Sequence, residues 1–426
     1  MTFRDVLRAA ALSAVLLAVM AALGLAALRA SVAGADHEAI RAALVQADPR
    51  VLGVPDTKRR QDGFDAGYFP ECAGVAILIR EDRWADPLVA AIRADTVLPD
   101  ARNQICPQVQ AELHGRDSGG WFTYARYWHG ALMLHRAVLS EGSYADLQRA
   151  VGALVWLGLA ALLLSAGWRV GMMPALVLTA FVALLSDARM GGELPIQATG
   201  FALLLFAASG FAVFGAGRSG AGALVAAAVS GAVLNFFDFL YTPAAFAMLN
   251  AWLWVAAGRR DAAPRRASGA LCVFAASLAG YGAFWALKWA AAFALNPDGQ
   301  QVFIFNVGEF TRWGPATGGT APLEAIATVV AQTFDSGWKL AVGAGLAALT
   351  AALAILQRAR VRHLALLLLP LLPAALAIEL MAAHTIAHAS FTFRIVPIAL
   401  GVMAASLLRS LYTAPEARNA AISDAP

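Results

Sequence analysis

Carboxylates, histidines and arginines recur at a few places in this chain with spacings that could support chemistry. The first is Gln61-Asp62-Gly63-Phe64-Asp65-Ala66-Gly67-Tyr68, two carboxylates three residues apart between glycines and aromatics. Either aspartate could serve as a general base toward a hydroxyl, or as a ligand for a hydroxyl or a divalent cation. A solvated Asp-Gly turn would be written with the same letters. The second place is Tyr124-Ala125-Arg126-Tyr127-Trp128-His129-Gly130. Arg126 and His129 could hold a phosphate while Trp128 stacks on a sugar or prenyl chain. An interfacial aromatic belt with a snorkelling arginine is the plainer account, although a belt has no need of His129. Two shorter stretches follow, Ser186-Asp187-Ala188-Arg189-Met190-Gly191-Gly192-Glu193 and Asn235-Phe236-Phe237-Asp238-Phe239-Leu240-Tyr241-Thr242-Pro243. Asp238 is the more telling carboxylate, because its neighbours are apolar and a desolvated charge is costly without a partner. The last place is His384-Thr385-Ile386-Ala387-His388-Ala389-Ser390-Phe391-Thr392-Phe393-Arg394. On a helix, His384 and His388 would share a face. No glutamate follows His384, so the zinc-protease motif is missing. His388 and Arg394 are better suited to donating to a phosphate or pyrophosphate leaving group, with a snorkelling Arg394 as the structural alternative.

These residues can act together only if the fold gathers them on one side, and the composition says what kind of fold that is. The chain has 426 residues, 60% hydrophobic and 14% charged, with a net charge of +4 and a mean hydropathy of +0.63. A soluble protein would carry roughly a quarter charged residues. Long apolar runs of about 20 residues read as membrane-spanning helices. Ten are expected, at about 8–29, 147–168, 172–187, 195–216, 220–236, 242–257, 268–293, 337–356, 363–382 and 394–411. The alternate short loops all bear arginine: Arg169, Arg218, the Arg259-Arg260 and Arg265-Arg266 pairs, and Arg358, Arg360 and Arg362. The positive-inside rule then places those loops and both termini in the cytoplasm of a bacterial inner membrane. The residues singled out above fall on the other, periplasmic side. No basic patch with interleaved aromatics argues for nucleic acid.

The expected organisation is therefore a first spanning helix (1–29), an extracytoplasmic segment (30–146), six further spans (147–293), a second extracytoplasmic loop that is a candidate lid (294–336), three last spans (337–411) and a polar cytoplasmic tail (412–426). The first span is long for a secretory signal and is read as uncleaved. Amphipathic helices are expected over 35–46 and 124–139, the second lying on the membrane surface. Cys72 and Cys106 fall in the same outer segment, where they could pair in an oxidising periplasm; their spacing does not decide it. Lys288 and Glu379 are unusual charges inside spans and could pair with each other.

This layout resembles the GT-C superfamily of integral-membrane glycosyltransferases: a helix starting in the cytoplasm, a large outer loop with an early aspartate, then many spans with short inner loops. The resemblance implies an all-α bundle that takes a sugar from a polyprenyl-phosphate-linked donor on the outer face. Asp65, or failing it Asp62, would be the base, and a glycan, lipid or protein of the cell envelope the acceptor. The residues expected to bind the substrates are Arg126, Trp128, His129, Asp187, Glu193, Asp238, His384, His388 and Arg394, of which His388 and Arg394 would donate to the departing phosphate, with no cofactor required beyond an optional divalent cation. The adjacent acidic pair usual in that family is replaced here by Asp62-Gly63-Phe64-Asp65. A lipid-linked polysaccharide polymerase or ligase, a secondary transporter and a membrane scaffold are the competing expectations. A transporter would bind at the midplane between repeats, and no repeat is apparent.

Overall fold

A computed structural model describes residues 2–47, 57–59, 65–100, 104–116, 118, 120–125, 127–186, 188, 193–237, 243–258, 263–295, 321–356 and 361–412. The chain opens with α1 (Phe3–Ala33), started by a capping box in which Thr2 and Asp5 exchange hydrogen bonds. The outer segment follows with α2 (His37–Val45), strands β1 (Thr57–Arg59) and β2 (Asp65–Gly67), α3 (Phe69–Arg80), α4 (Pro87–Arg93), β3 (Asp95–Val97), α5 (Cys106–Leu113), β4 (Trp121–Thr123) and α6 (Leu132–Leu139). The strands pair antiparallel as β1–β2 and β3–β4. Next come α7 (Tyr144–Val170), α8 (Met172–Leu185), α9 (Pro195–Phe214), α10 (Ala221–Phe237), α11 (Pro243–Ala257) and α12 (Ala263–Leu295). The last part holds α13 (Glu324–Thr333), α14 (Gly337–Leu356), α15 (Val361–Leu368), α16 (Leu371–Leu380), α17 (Ala382–Ala387), α18 (Ala389–Thr392) and α19 (Ile395–Tyr412).

The protein is all-α apart from short strand pairs, and its apolar helices mark it as a membrane protein. Each expected span coincides with helix, but the count of ten spans is not reproduced. Among the described residues four helices are long and apolar enough to cross a bilayer: α1, α7, α9 and α12. The shorter apolar helices, such as α8 with 14 residues and α10 with 17, are only about 21–26 Å long against a hydrocarbon core of about 30 Å. The span expected over 363–382 is broken into α15 and α16 at a turn formed by Leu369 and Pro370; proline lacks the N–H that a continuous helix would need.

Small residues let the central helices approach closely. A methyl group on Gly231 of α10 would sit 2.1 Å from the Ser277 carbonyl oxygen of α12, and one on Gly280 would sit 2.0 Å from the Ala228 carbonyl oxygen. Asn250 of α11 donates to both Ser230 and Ser277, each at 3.2 Å, so three helices share one buried polar contact. Two of the arginine-bearing turns, at Arg169 and Arg218, meet at one end of the bundle. There Arg169 donates to the carbonyls of Ala212 and Val213, Trp254 donates to the carbonyl of Arg218 at 2.9 Å, and Asp5 lies against Gly220.

At the other end the segment between α1 and α7 folds onto the bundle. Cys72 and Cys106 form a disulfide that ties α3 to α5. Arg136 makes a two-pronged, buried ion pair with Glu81 and also donates to Ser31 of α1 at 3.2 Å. The helix expected over 35–46 is α2, capped by Asp36. The one expected over 124–139 is corrected: helix covers only Leu132–Leu139, and His129 adopts a left-handed φ of 57°. The face carrying Leu132, His135, Arg136 and Leu139 is buried in protein. What ends the expected helix is tertiary contact, because the amide of Gly130 donates at 3.0 Å to the carbonyl of Phe236 at the end of α10.

Candidate functional site

The clearest gathering of chemically capable residues lies where β2 meets the segment 384–394. Helix α18 packs beside β2, which carries Asp65 in its backbone. Immediately after β2, the ring of Phe69 lies 6.3 Å from that of His388. His384 and His388 are neighbours, with ring centroids 4.6 Å apart, as an i,i+4 spacing requires. Helix breaks at His388, and the next turn is closed by Thr392, whose hydroxyl donates to the carbonyls of Thr385 at 3.1 Å and His388 at 3.0 Å. That turn delivers Phe393 and Arg394 into the core. The Arg394 guanidinium is buried, 5.5 Å from the Phe201 ring and 5.4 Å from that of Phe393.

A residue that sequence reasoning passed over completes this end. Glu71 is fully buried on α3 and accepts backbone N–H bonds from Ile196 at 3.0 Å and Gln197 at 2.9 Å. Those are free donors of the first turn of α9, whose N-terminus favours negative charge. Burial nevertheless dominates and raises the Glu71 carboxyl to about 8, against the lowering effects of the two N–H groups and of nearby Arg394. A signal was present: one carboxylate at the head of the apolar run 69–79, directly after Pro70. Lys339 was also missed. It is buried, pairs with Asp335 at 3.2 Å, and lies 5.6 Å from the Phe393 ring. Lys339 and Arg394 thus both approach Phe393.

A second gathering surrounds residues 124–130. Trp128 is fully buried, stacked on Phe284 at 4.8 Å and tilted against Phe236 at 5.7 Å, and its indole N–H donates to the Phe284 carbonyl at 3.0 Å. As placed, it packs protein against protein. His129 is buried too, with Nε2 3.0 Å from the Tyr124 carbonyl oxygen and rings of Tyr124 and Tyr127 about it. Burial first, then the nearby Lys288 charge, push the imidazole down to about 3, so it is neutral at pH 7. His135, which bonds Thr199 at 3.1 Å, is lowered to about 3 for the same first reason and by adjacent Arg136.

The residues expected to act together are therefore distributed. Asp65, His384, His388 and Arg394 share one neighbourhood, while Trp128 and His129 belong with the Phe284 and Lys288 stretch of α12. Glu193 is exposed at the turn before α9. Asp62, Arg126, Asp187 and Asp238 lie outside the described residues, as does the extended piece expected at 301–305. The expected pairing of Lys288 with Glu379 is corrected: Lys288 donates to the Ile92 carbonyl at 2.7 Å, and Glu379 accepts from the amides of Leu323 and Ile326 at the start of α13. The reason is the same as for Glu71, an orphan helix N-terminus within reach of the carboxylate. Among the described residues no group of three or more histidine, cysteine or acidic side chains is placed to hold a metal. Scans of the chain against protein-family models, curated proteins and solved structures returned no match.

Proposed function

We propose that the chain is a transferase that moves a sugar from a polyprenyl-phosphate-linked donor to an acceptor of the cell envelope, on the non-cytoplasmic face of a bacterial inner membrane. The observation that carries this reading is the packing of β2, with Asp65, against the turn that bears His388 and Arg394. Transfer needs a base for the acceptor hydroxyl and cations for the departing phosphate, and these are the residue types at that junction. Asp65 takes the hydroxyl proton as the acceptor oxygen bonds to the anomeric carbon. The anomeric carbon–oxygen bond to phosphate breaks, and the electron pair leaves on the phosphate. His388 and Arg394 meet that charge, and the phosphate leaves already ionised, so no acid is needed. The prenyl tail is accommodated by the apolar helices, and both chain termini are cytoplasmic, opposite the site.

The test is complementation of a deletion strain with wild type, Asp65→Asn and Asp62→Asn, read by mass analysis of cell-surface glycans. The expected result is a missing sugar in the deletion and in Asp65→Asn, restored by wild type. Identical glycans in the wild-type, deletion and Asp65→Asn strains would remove the transferase reading.

A further inference from the structure

The C-terminal half of α12 carries a buried charge, Lys288, that no carboxylate among the described residues faces. Phe284, Trp285, Lys288 and Trp289 fall on adjoining turns of one helical side. Phe284 lies under Trp128, Trp285 stacks parallel to Tyr127 with centroids 6.1 Å apart, and Trp289 rests 4.7 Å from Trp285. Lys288, among them, has no exposed surface. Its ammonium donates to the carbonyl of Ile92, in the last turn of α4, at 2.7 Å. Among the described residues that is its hydrogen bond, and no carboxylate faces it. An ammonium has three donors, and a carbonyl at a helix C-terminus returns only a fraction of a charge. A buried cation left so is costly unless an anion meets it.

We propose that this anion is the phosphate of a lipid-borne substrate, held by Lys288 behind the aromatic side chains of α12. Trp285, Trp289 and Phe293 recur every fourth residue toward the helix end; the two tryptophans are half-buried and Phe293 is 39% exposed. Such aromatics favour the level of lipid headgroups, which selects a phosphate carried on a lipid over one free in water. Neutral His129 nearby adds no competing positive charge. The inference rests on the transferase reading only in taking the lipid to be a polyprenyl phosphate, and it gives a ligand to the second gathering, around Trp128, His129 and α12, apart from the one built on Asp65, His388 and Arg394.

The test measures binding without turnover. Full-length protein in nanodiscs of zwitterionic lipid is titrated with farnesyl phosphate and followed by tryptophan fluorescence. Lys288→Gln keeps a donor for the Ile92 carbonyl and removes the charge, and Lys288→Arg keeps the charge. The expected result is binding weakened about tenfold or more in Lys288→Gln, the low end for a hydrogen bond between charged groups, and retained in Lys288→Arg. Inorganic phosphate and phosphatidylglycerol should not compete at matched concentration. Unchanged binding in Lys288→Gln, or no binding by wild type, overturns the site. Equal competition by inorganic phosphate overturns the lipid-borne ligand, and equal competition by phosphatidylglycerol overturns the polyprenyl class. Should Lys288→Gln fail to fold, wild type is labelled with farnesyl phosphorimidazolide and mapped by mass spectrometry. The chain has three lysines, Lys58, Lys288 and Lys339; label on Lys288 supports the site, and label confined to the other two overturns it. Binding through Lys288 together with unchanged glycans in Asp65→Asn would keep this site and remove the transferase reading.

Discussion

Helix α9 is closed at both ends by side chains from other helices, and the two closures are of opposite kind. At its N-terminus the Glu71 carboxylate of α3 accepts from Ile196 and Gln197. At its C-terminus the Arg169 guanidinium of α7 donates to Ala212 and Val213 while lying over the Trp168 ring. The Arg169 charge matches the sign of the helix end it meets, and Glu71 offers acceptor oxygens to the other end even while it holds a proton. In a membrane protein that is an economical use of ionisable groups, since orphan helix-end N–H and C=O groups have little water to turn to. Glu379 does the same for α13. The comparison shows how a helix end recruits a charge from a neighbouring helix. Arg169 closes the C-terminus of α9 and Lys288 donates to the last turn of α4, whereas His384, His388 and Arg394 belong to the segment whose helix α18 packs beside β2.

The contrast between the two ends can be broken by mutation. The largest effect is expected at Arg136, whose buried pair with Glu81 and bond to Ser31 join the outer segment to α1. Arg136→Met leaves a buried carboxylate without its cation and should cost about 3–5 kcal/mol, seen as a melting temperature lowered by many degrees in detergent. Wild-type melting would mean that the outer end is not held as described. Next in size is a matched pair of substitutions. Arg394→Met should lower transfer by about a hundredfold, the scale for losing one charge-stabilising donor, with melting little changed. Arg169→Met should leave transfer intact and cost about 1 kcal/mol of stability or less. Equal activity losses in the two variants would erase the distinction between the ends.

Much of the fold was legible in the sequence because membrane helices announce themselves. Hydropathy placed every expected span on helix, and the turns at Arg169 and Arg218 lie together at one end. What hydropathy could not decide was whether such runs cross a bilayer: α8, α10 and α11 match their expected spans within a residue or two, but at 14, 17 and 15 residues they are shorter than the roughly 20 that a straight crossing takes. The neighbourhood of His384, His388 and Arg394 was legible from residue type and i,i+4 spacing. The irregular path of 124–131 was not, because it is imposed by Gly130 bonding to Phe236, a contact more than 100 residues away. Glu71 was missed for a related reason: its partners are backbone amides, which carry no letter in a sequence.

The smallest expected effect tests the N-terminal closure of α9 alone. Glu71 titrates near 8 in the folded protein against an ordinary 4.5, so between those values the folded state holds a proton that the unfolded state has released. Stability therefore falls as pH rises through that window and levels off above it. From pH 7 to pH 8 the loss is about 1 kcal/mol, because one pKa unit corresponds to about 1.4 kcal/mol. His129 and His135 run the other way, lowered to about 3 from 6.5, and withdraw stability only as pH falls below 6.5; they are silent in this range. Glu71→Gln should be less stable at pH 7, since its amide N–H₂ meets one of the α9 donors instead of accepting from it. Its melting temperature should nonetheless lose the decline that wild type shows from pH 7 to pH 9. Parallel declines in the two proteins would show that Glu71 is ionised throughout, and that the N–H groups of α9 and Arg394 outweigh its burial.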